Sequence, residues 1–209
     1  MVMFNYSNKL IVVEGAIGVG KTSLVLRLSK QFNSKCNLEV VEENPFLLKF
    51  YSDIERYAFQ TQIFFLLSRY KQQLELTQLD LFQHLVFSDY LFAKDRIFAH
   101  LNLCGSELAM YENLYEIMSK NIPKPDLIVY LQASTELLMK RIALRDRPFE
   151  RKMSYEYMMR LNSTYEDFFS FPDNYKGIKL IKINTNHLDF VGKKEDFEVV
   201  VNRILNEGE

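Results

Sequence analysis

"LIVVEGAIGVGKTSLVLRL", residues 10–28, reads as a strand, then a glycine loop, then a helix. Leu10–Val13 is a short β-rich run of the kind buried inside a sheet. Thr22–Phe32 carries apolar positions at Leu24, Val25 and Leu28, one face of a helix. The same alternation continues downstream. "NLEVVEENPF" (37–46) is expected as a second strand stopped by Pro45, and residues 55–82 as a long helix, apolar nearly all round at Ile63–Leu67. "HLVFSD" (84–89) is a third strand ending in an acid, followed by a helix over Ser106–Ser119. "PDLIVYLQAS" (125–134) is a fourth strand. Ser134 opens a helix, and a further helix covers 154–169. "IKLIKINT" (178–185) is the fifth strand, and 194–205 closes as a helix. Strands alternating with helices predict an α/β fold with a mainly parallel five-stranded sheet flanked by helices.

The bulk numbers narrow the classes. The 209 residues suit one domain spanning 1–209. A net charge of -1 gives no global field favouring nucleic acid or an acidic membrane surface. The N-terminal stretch lacks a signal-peptide pattern, and no apolar run reaches the length of a spanning helix. Cys36 and Cys104 are the only cysteines, without metal spacing, which suits a reducing cytoplasm. The 17 Phe and 12 Tyr read as core packing.

Residues 15–22 fit G-x-x-x-x-G-K-[ST], the phosphate-binding P-loop, in the strand-to-helix context that the motif needs. Gly15 and Gly20 allow a tight turn that aims backbone N–H groups at phosphate oxygens, and the following helix adds its positive dipole end. Gly15, Ala16, Gly18, Gly20, Lys21, Thr22 and Ser23 form the expected nucleotide cradle. Lys21 is expected to reach the β- and γ-phosphates and the Thr22 hydroxyl to sit on Mg²⁺. The competing reading is a glycine turn with a surface lysine.

Between Lys140 and Lys152 lie six basic and two acidic residues, among them Arg141, Arg145 and Arg147. A solvated helix end has this composition. So does a mobile lid whose guanidiniums neutralise charge on a transferring phosphoryl group and exclude water.

Several separated stretches together resemble the deoxynucleoside kinase family. They are "GAIGVGKT" (15–22), "YSDIERYAFQTQIFFLLSR" (51–69), "FSDYLFAKDRIFA" (87–99), "RIALRDRPFE" (141–150) and "NHLDF" (186–190). The resemblance implies a P-loop kinase fold with an Arg-rich lid, ATP and Mg²⁺, a deoxynucleoside acceptor and a homodimer. It makes Asp89, at the strand end where parallel sheets bind ligands, the base for the nucleoside 5'-OH and a further Mg²⁺ contact. A helix N-cap is the alternative role for this acid. The resemblance also implies a glutamate at the end of the second strand that orients the 5'-OH and can share the base role. Glu42 is favoured, and spacing does not separate it from Glu43. The family usually places Arg directly after the acid, whereas this chain has Tyr90, with Arg96 a candidate to supply the missing cation.

Gln62 and Arg69 are two turns apart on one helix face, polar in an apolar run, and burying either unpaired is costly. Gln62 has a donor and an acceptor for a base edge. Arg69 pairs with Asp95 in the reading the resemblance supports, which goes with dA, dG and dC more than thymidine; an ordinary surface ion pair is the alternative. Phe98 is the candidate for stacking on the base. Tyr51 and Glu150 match the family pair at the sugar 3'-OH. Phe190 is expected to flank the donor adenine, with core packing as the competing reading.

Two other classes share the P-loop. A thymidylate-type nucleotide kinase needs a cationic pocket for a phosphorylated acceptor. A nucleotide-dependent switch of the guanine type carries an N-K-x-D motif that is absent here.

Overall fold

A computed structural model describes residues 9–78 and 85–208. The elements run β1 (Lys9–Glu14), α1 (Lys21–Phe32), β2 (Lys35–Asn37), α2 (Leu47–Phe50), α3 (Ile54–Gln78), β3 (Leu85–Ser88), α4 (Lys94–Asn102), α5 (Gly105–Ser119), β4 (Leu127–Gln132), α6 (Thr135–Arg145), α7 (Tyr155–Ser170), β5 (Lys179–Asn184) and α8 (Lys194–Gly208). Short 3-10 turns lie at Pro148–Glu150 and Pro172–Tyr175. His84 and residues 79–82, expected at the start of a strand and the end of a helix, lie outside the described residues.

The five strands form one sheet in the order β2-β3-β1-β4-β5, and every neighbouring pair is parallel. All strand carboxyl ends therefore lie along one edge. The chain leaves β2, β3 and β1 there side by side, so the segments that follow these strands are neighbours in space, as at the ligand edge of other open parallel sheets. β4 is buried along Leu127–Leu131, as expected of a central strand covered on both faces. Leu24, Val25 and Leu28 of α1 are fully buried against the sheet, and Val200 and Ile204 of α8 join the same core.

The second strand is shorter than the sequence pattern predicts. Pairing stops at Asn37, and Leu38–Val41 runs on as loop into turns at 42–43 and 45–46. The reason is a tertiary competitor. The Asp89 N–H donates to the Asn37 carbonyl at 3.1 Å, but the next available donor, the Glu39 N–H, bonds the Asp89 side chain at 2.8 Å. A carboxylate thus replaces the backbone acceptor that would have extended the ladder. Asn44 then fixes the turn, accepting from the Phe46 N–H at 3.0 Å and donating to the Thr61 carbonyl at 3.2 Å.

Candidate active site

The loop after β1 is closed on three sides. Gly15, Gly18 and Gly20 have φ of 149°, 85° and 104°, in the range that glycine alone adopts freely. A Cβ at Gly18 would lie 2.9 Å from Ile142 Cγ1, and one at Gly20 2.8 Å from Phe190 Cζ. α6 and the loop after β5 therefore pack directly on the phosphate loop. Gly20 caps α1 without a side-chain hydrogen bond, leaving the first N–H groups of the helix available to an anion. Lys21 folds back on the loop, donating to the Gly15 and Ala16 carbonyls at 2.7 and 3.2 Å. Burial, and then the charge of Lys94, lower its ammonium pKa to about 8.

Beside this loop lies a cavity of about 290 Å³. Lys21, Thr22, Asp89, Glu39, Lys94 and Arg69 line its inner end, Tyr51, Phe65 and Phe98 its walls, and Arg145, Arg147 and Glu150 its mouth. Thr22 Oγ1 donates to Asp89 Oδ2, while Asp89 Oδ1 takes the Glu39 N–H. Burial raises the Asp89 pKa, against the pull of the Thr22 hydrogen bond. Glu39 accepts from Lys94 Nζ at 2.6 Å and from Arg69 Nε at 3.0 Å, with Arg69 Nη2 on the same oxygen. Burial alone would favour the neutral acid, but Lys94 and Arg69 outweigh it and hold Glu39 ionised far below the usual carboxylate range. Arg69, 4% exposed, also forms an ion pair with the fully buried Asp95, and its guanidinium lies 4.6 Å from the Phe65 ring centroid. Burial raises the Asp95 carboxyl to about 6 even so.

At the mouth, Arg145 grips Glu150 with both Nε, at 2.8 Å, and Nη2. Tyr51 stands in the wall, packed edge-on against Phe50 and Tyr157, and burial and the nearby Tyr157 and Glu150 push its phenol well up.

The sequence candidates fall into four groups. Gly18, Lys21, Thr22, Tyr51, Arg69, Asp89, Phe98, Arg145, Arg147 and Glu150 line one cavity. Gly15, Ala16 and Gly20 belong to the phosphate loop but not to the lining, and Ser23, the third residue of α1, is also outside it. Asp95 and Gln62 stand behind the lining, both buried, Asp95 ion-paired with Arg69 and Gln62 Oε1 lacking a hydrogen-bond partner. Three candidates sit elsewhere. Glu42 lies outside the lining with a side chain 62% exposed, 3.6 Å from Arg147. Arg141 turns away from the cavity and donates to the Val19 carbonyl at 3.2 Å and the Leu188 carbonyl at 3.3 Å, tying the loop to the segment after β5. Phe190 is 1% exposed, its ring packed on Gly20 in the core.

Glu39 and Lys94 are the site residues that sequence reading passed over. Glu39 was available as a single acid inside Leu38–Val41, an otherwise apolar run, where a carboxylate must find partners if buried. Lys94 opens α4, a helix the sequence pattern left unassigned. Arg96, the candidate for the missing cation, instead points outward and pairs with Glu112 at 2.9 Å. Tyr90 is fully buried and outside the cavity lining.

A parallel sheet, a P-loop at the end of β1, a strand-end acid on the P-loop threonine and an arginine-rich mouth define a P-loop phosphotransferase with a P-loop kinase fold. The sequence matches the deoxynucleoside kinase family over residues 11–207, and the chain belongs to that family. It is 37% identical over 190 residues to the deoxyguanosine kinase of Bacillus subtilis (strain 168), covering 90% of this chain and 92% of that one. It is 30% identical over 206 residues to the deoxyadenosine/deoxycytidine kinase of the same organism, covering 95% and 93%. Among solved structures, deoxyadenosine kinase from M. mycoides with bound dATP superposes with a TM-score of 0.81 at 26% identity, covering 94% of this chain and 99% of that one.

Proposed function

We propose that the chain transfers the γ-phosphoryl group of ATP to the 5'-hydroxyl of deoxyadenosine, deoxyguanosine or deoxycytidine. The observation that carries this reading is the meeting of Glu39, Asp89 and the P-loop at one end of a single cavity that also holds Arg69, Tyr51 and Glu150. The loop N–H groups and Lys21 hold the triphosphate. Thr22 and Asp89 bring two hard oxygen donors into contact beside it, a donor set that suits Mg²⁺. The ion supplies charge neutralisation on the phosphate oxygens when bound. Glu39 holds the 5'-OH and accepts its proton as the O5'–P bond forms and the bond to the β-phosphate oxygen breaks. Asp89 thus serves the donor side and Glu39 the acceptor side, whereas the sequence expectation is Asp89 as base with Glu42 orienting the hydroxyl and able to share that role. Arg145 and Arg147 at the mouth face the transferring group. Tyr51 and Glu150 receive the sugar 3'-OH, and the buried Arg69–Asp95 pair with Gln62 addresses the base, with Phe98 beside it. The unpartnered Oε1 of Gln62 supports that assignment, because a buried acceptor without a partner is rare.

A panel of the four deoxynucleosides and their 5'-monophosphates, incubated with Mg-ATP, tests the reading. Phosphorylation of dA, dG or dC is expected. Turnover of monophosphates alone would make the chain a nucleotide kinase, and hydrolysis of ATP indifferent to all acceptors would make it a switch.

We also place a second copy of the chain on α5, to form a homodimer. Met110, Leu114 and Ile117 follow one another at helical spacing and are exposed, and α5 packs beside α3, whose Leu67 is exposed too. Sedimentation equilibrium is expected to give twice the chain mass, and Ile117→Glu to shift it toward the monomer. None of the helices among the described residues is long and apolar enough to cross a membrane, and a cytoplasmic location accords with that reading.

A further inference from the structure

Lys94 is placed where electrostatics disfavours it. It is the first residue of α4, so its ammonium adds positive charge at the positive end of a helix dipole. It is 4% exposed, and it faces the cavity alongside Lys21, whose charge it disfavours. One carboxylate, Glu39, holds it at 2.6 Å, but Arg69 already neutralises that carboxylate from the other side. Arg69 also pairs with the fully buried Asp95, so Glu39 shares its charge with a guanidinium and is the one carboxylate that holds Lys94 at the cavity wall. Five cations and three carboxylates line the whole cavity, and Lys94 and Lys21 both belong to the lining beside the phosphate loop. A local conflict of this kind is kept where a ligand resolves it.

We propose that Lys94 is the second cation of the phosphoryl-transfer centre: it holds the migrating phosphoryl group on the acceptor side while Lys21 holds it on the donor side. This rests on the kinase reading above. The phosphoryl group that leaves the donor's β-phosphate oxygen and becomes bonded to O5' passes from Lys21 toward Lys94. The proton of the 5'-OH goes to Glu39, the ion-pair partner of Lys94. Lys94 then faces the 5'-phosphate of the product, and the charge that this family usually supplies from the residue after the strand-end acid comes here from a helix five positions beyond Asp89, while Tyr90 packs in the core.

The test compares Lys94→Met, which keeps length without charge, with Lys94→Arg, which keeps the charge. Lys94→Met is expected to lower kcat by about 10²-fold with the deoxynucleoside KM within about threefold, a transition-state loss rather than a binding loss. Lys94→Arg is expected to recover kcat to within about tenfold of the unsubstituted chain. Calorimetry with the preferred deoxynucleoside and with its 5'-monophosphate separates this from a lysine that merely positions Glu39. For Lys94→Met the monophosphate is expected to weaken by about tenfold or more, with nucleoside affinity nearly unchanged, which also reports a folded site. Equal weakening of both ligands, or an unchanged kcat, overturns the proposal while leaving the kinase reading intact. Absence of any acceptor-dependent turnover in the unsubstituted chain overturns both.

Discussion

Glu39→Gln is expected to lower kcat by about 10³-fold, while Glu42→Gln leaves it within about threefold. The two glutamates are three residues apart, and spacing does not rank them. Their surroundings do. Glu39, its side chain 10% exposed, lies between Lys94 and Arg69, with its backbone N–H on Asp89, and so sits within one hydrogen bond of the acid that contacts the P-loop threonine. Glu42 is open to water and reaches only the outer arginine of the mouth. A carboxylate pinned in one orientation can align a hydroxyl for in-line attack, and in phosphoryl transfer positioning provides most of the catalysis. An exposed carboxylate near one guanidinium contributes little to either stability or rate. Steady-state kinetics with Mg-ATP and the preferred deoxynucleoside measure both variants, with circular dichroism to show that each is folded. A larger loss for Glu42→Gln than for Glu39→Gln would reverse the assignment.

The contrast shows which parts of this molecule are readable from sequence. The P-loop is legible because each of its glycines answers a local steric demand, and the demand is the same in any context. The alternation of strands and helices is legible because burial imposes periodicity on the chain itself. The end of β2 is not, since the acceptor that stops it is the side chain of Asp89, fifty residues away from Glu39. Local pattern reading carries "NLEVVEENPF" on as a strand, and within a strand Glu42 is a natural terminus. Once the ladder breaks at Asn37, Glu39 is the residue left at the sheet edge and Glu42 falls on the rim. Arg141 shows the same limit in another form. It shares a helix with Arg145, four residues on, one turn later but rotated enough that its guanidinium meets the Val19 and Leu188 carbonyls while Arg145 meets Glu150. A run of arginines in sequence is therefore two separate sets of contacts in space.

Arg69→Met is expected to be the most destabilising of the substitutions considered, by about 3–5 kcal/mol, because it strips a buried cation from two carboxylates at once. Asp95 is fully buried and has Arg69 as its ion-pair partner; Glu39 keeps Lys94 and so suffers less. Methionine fills much of the space beside Phe65, so the loss is electrostatic more than steric. In a chain of this size the change corresponds to a fall in Tm of roughly 10 °C. Its pH dependence has a definite sign. Burial already raises the Asp95 carboxyl to about 6 with Arg69 in place, and without Arg69 it rises further. A carboxyl whose folded-state pKa exceeds its unfolded value contributes stability at low pH that is lost as pH rises through the folded pKa. The deficit of Arg69→Met is therefore expected to be smallest near pH 5, where Asp95 is protonated, and to widen toward pH 8. Adding Asp95→Leu removes the stranded charge and is expected to recover most of the stability while leaving the base-reading face apolar. Thermal unfolding of the three proteins across that pH range measures both effects. A deficit that is small and constant with pH would show that Arg69 and Asp95 are not an interdependent buried pair.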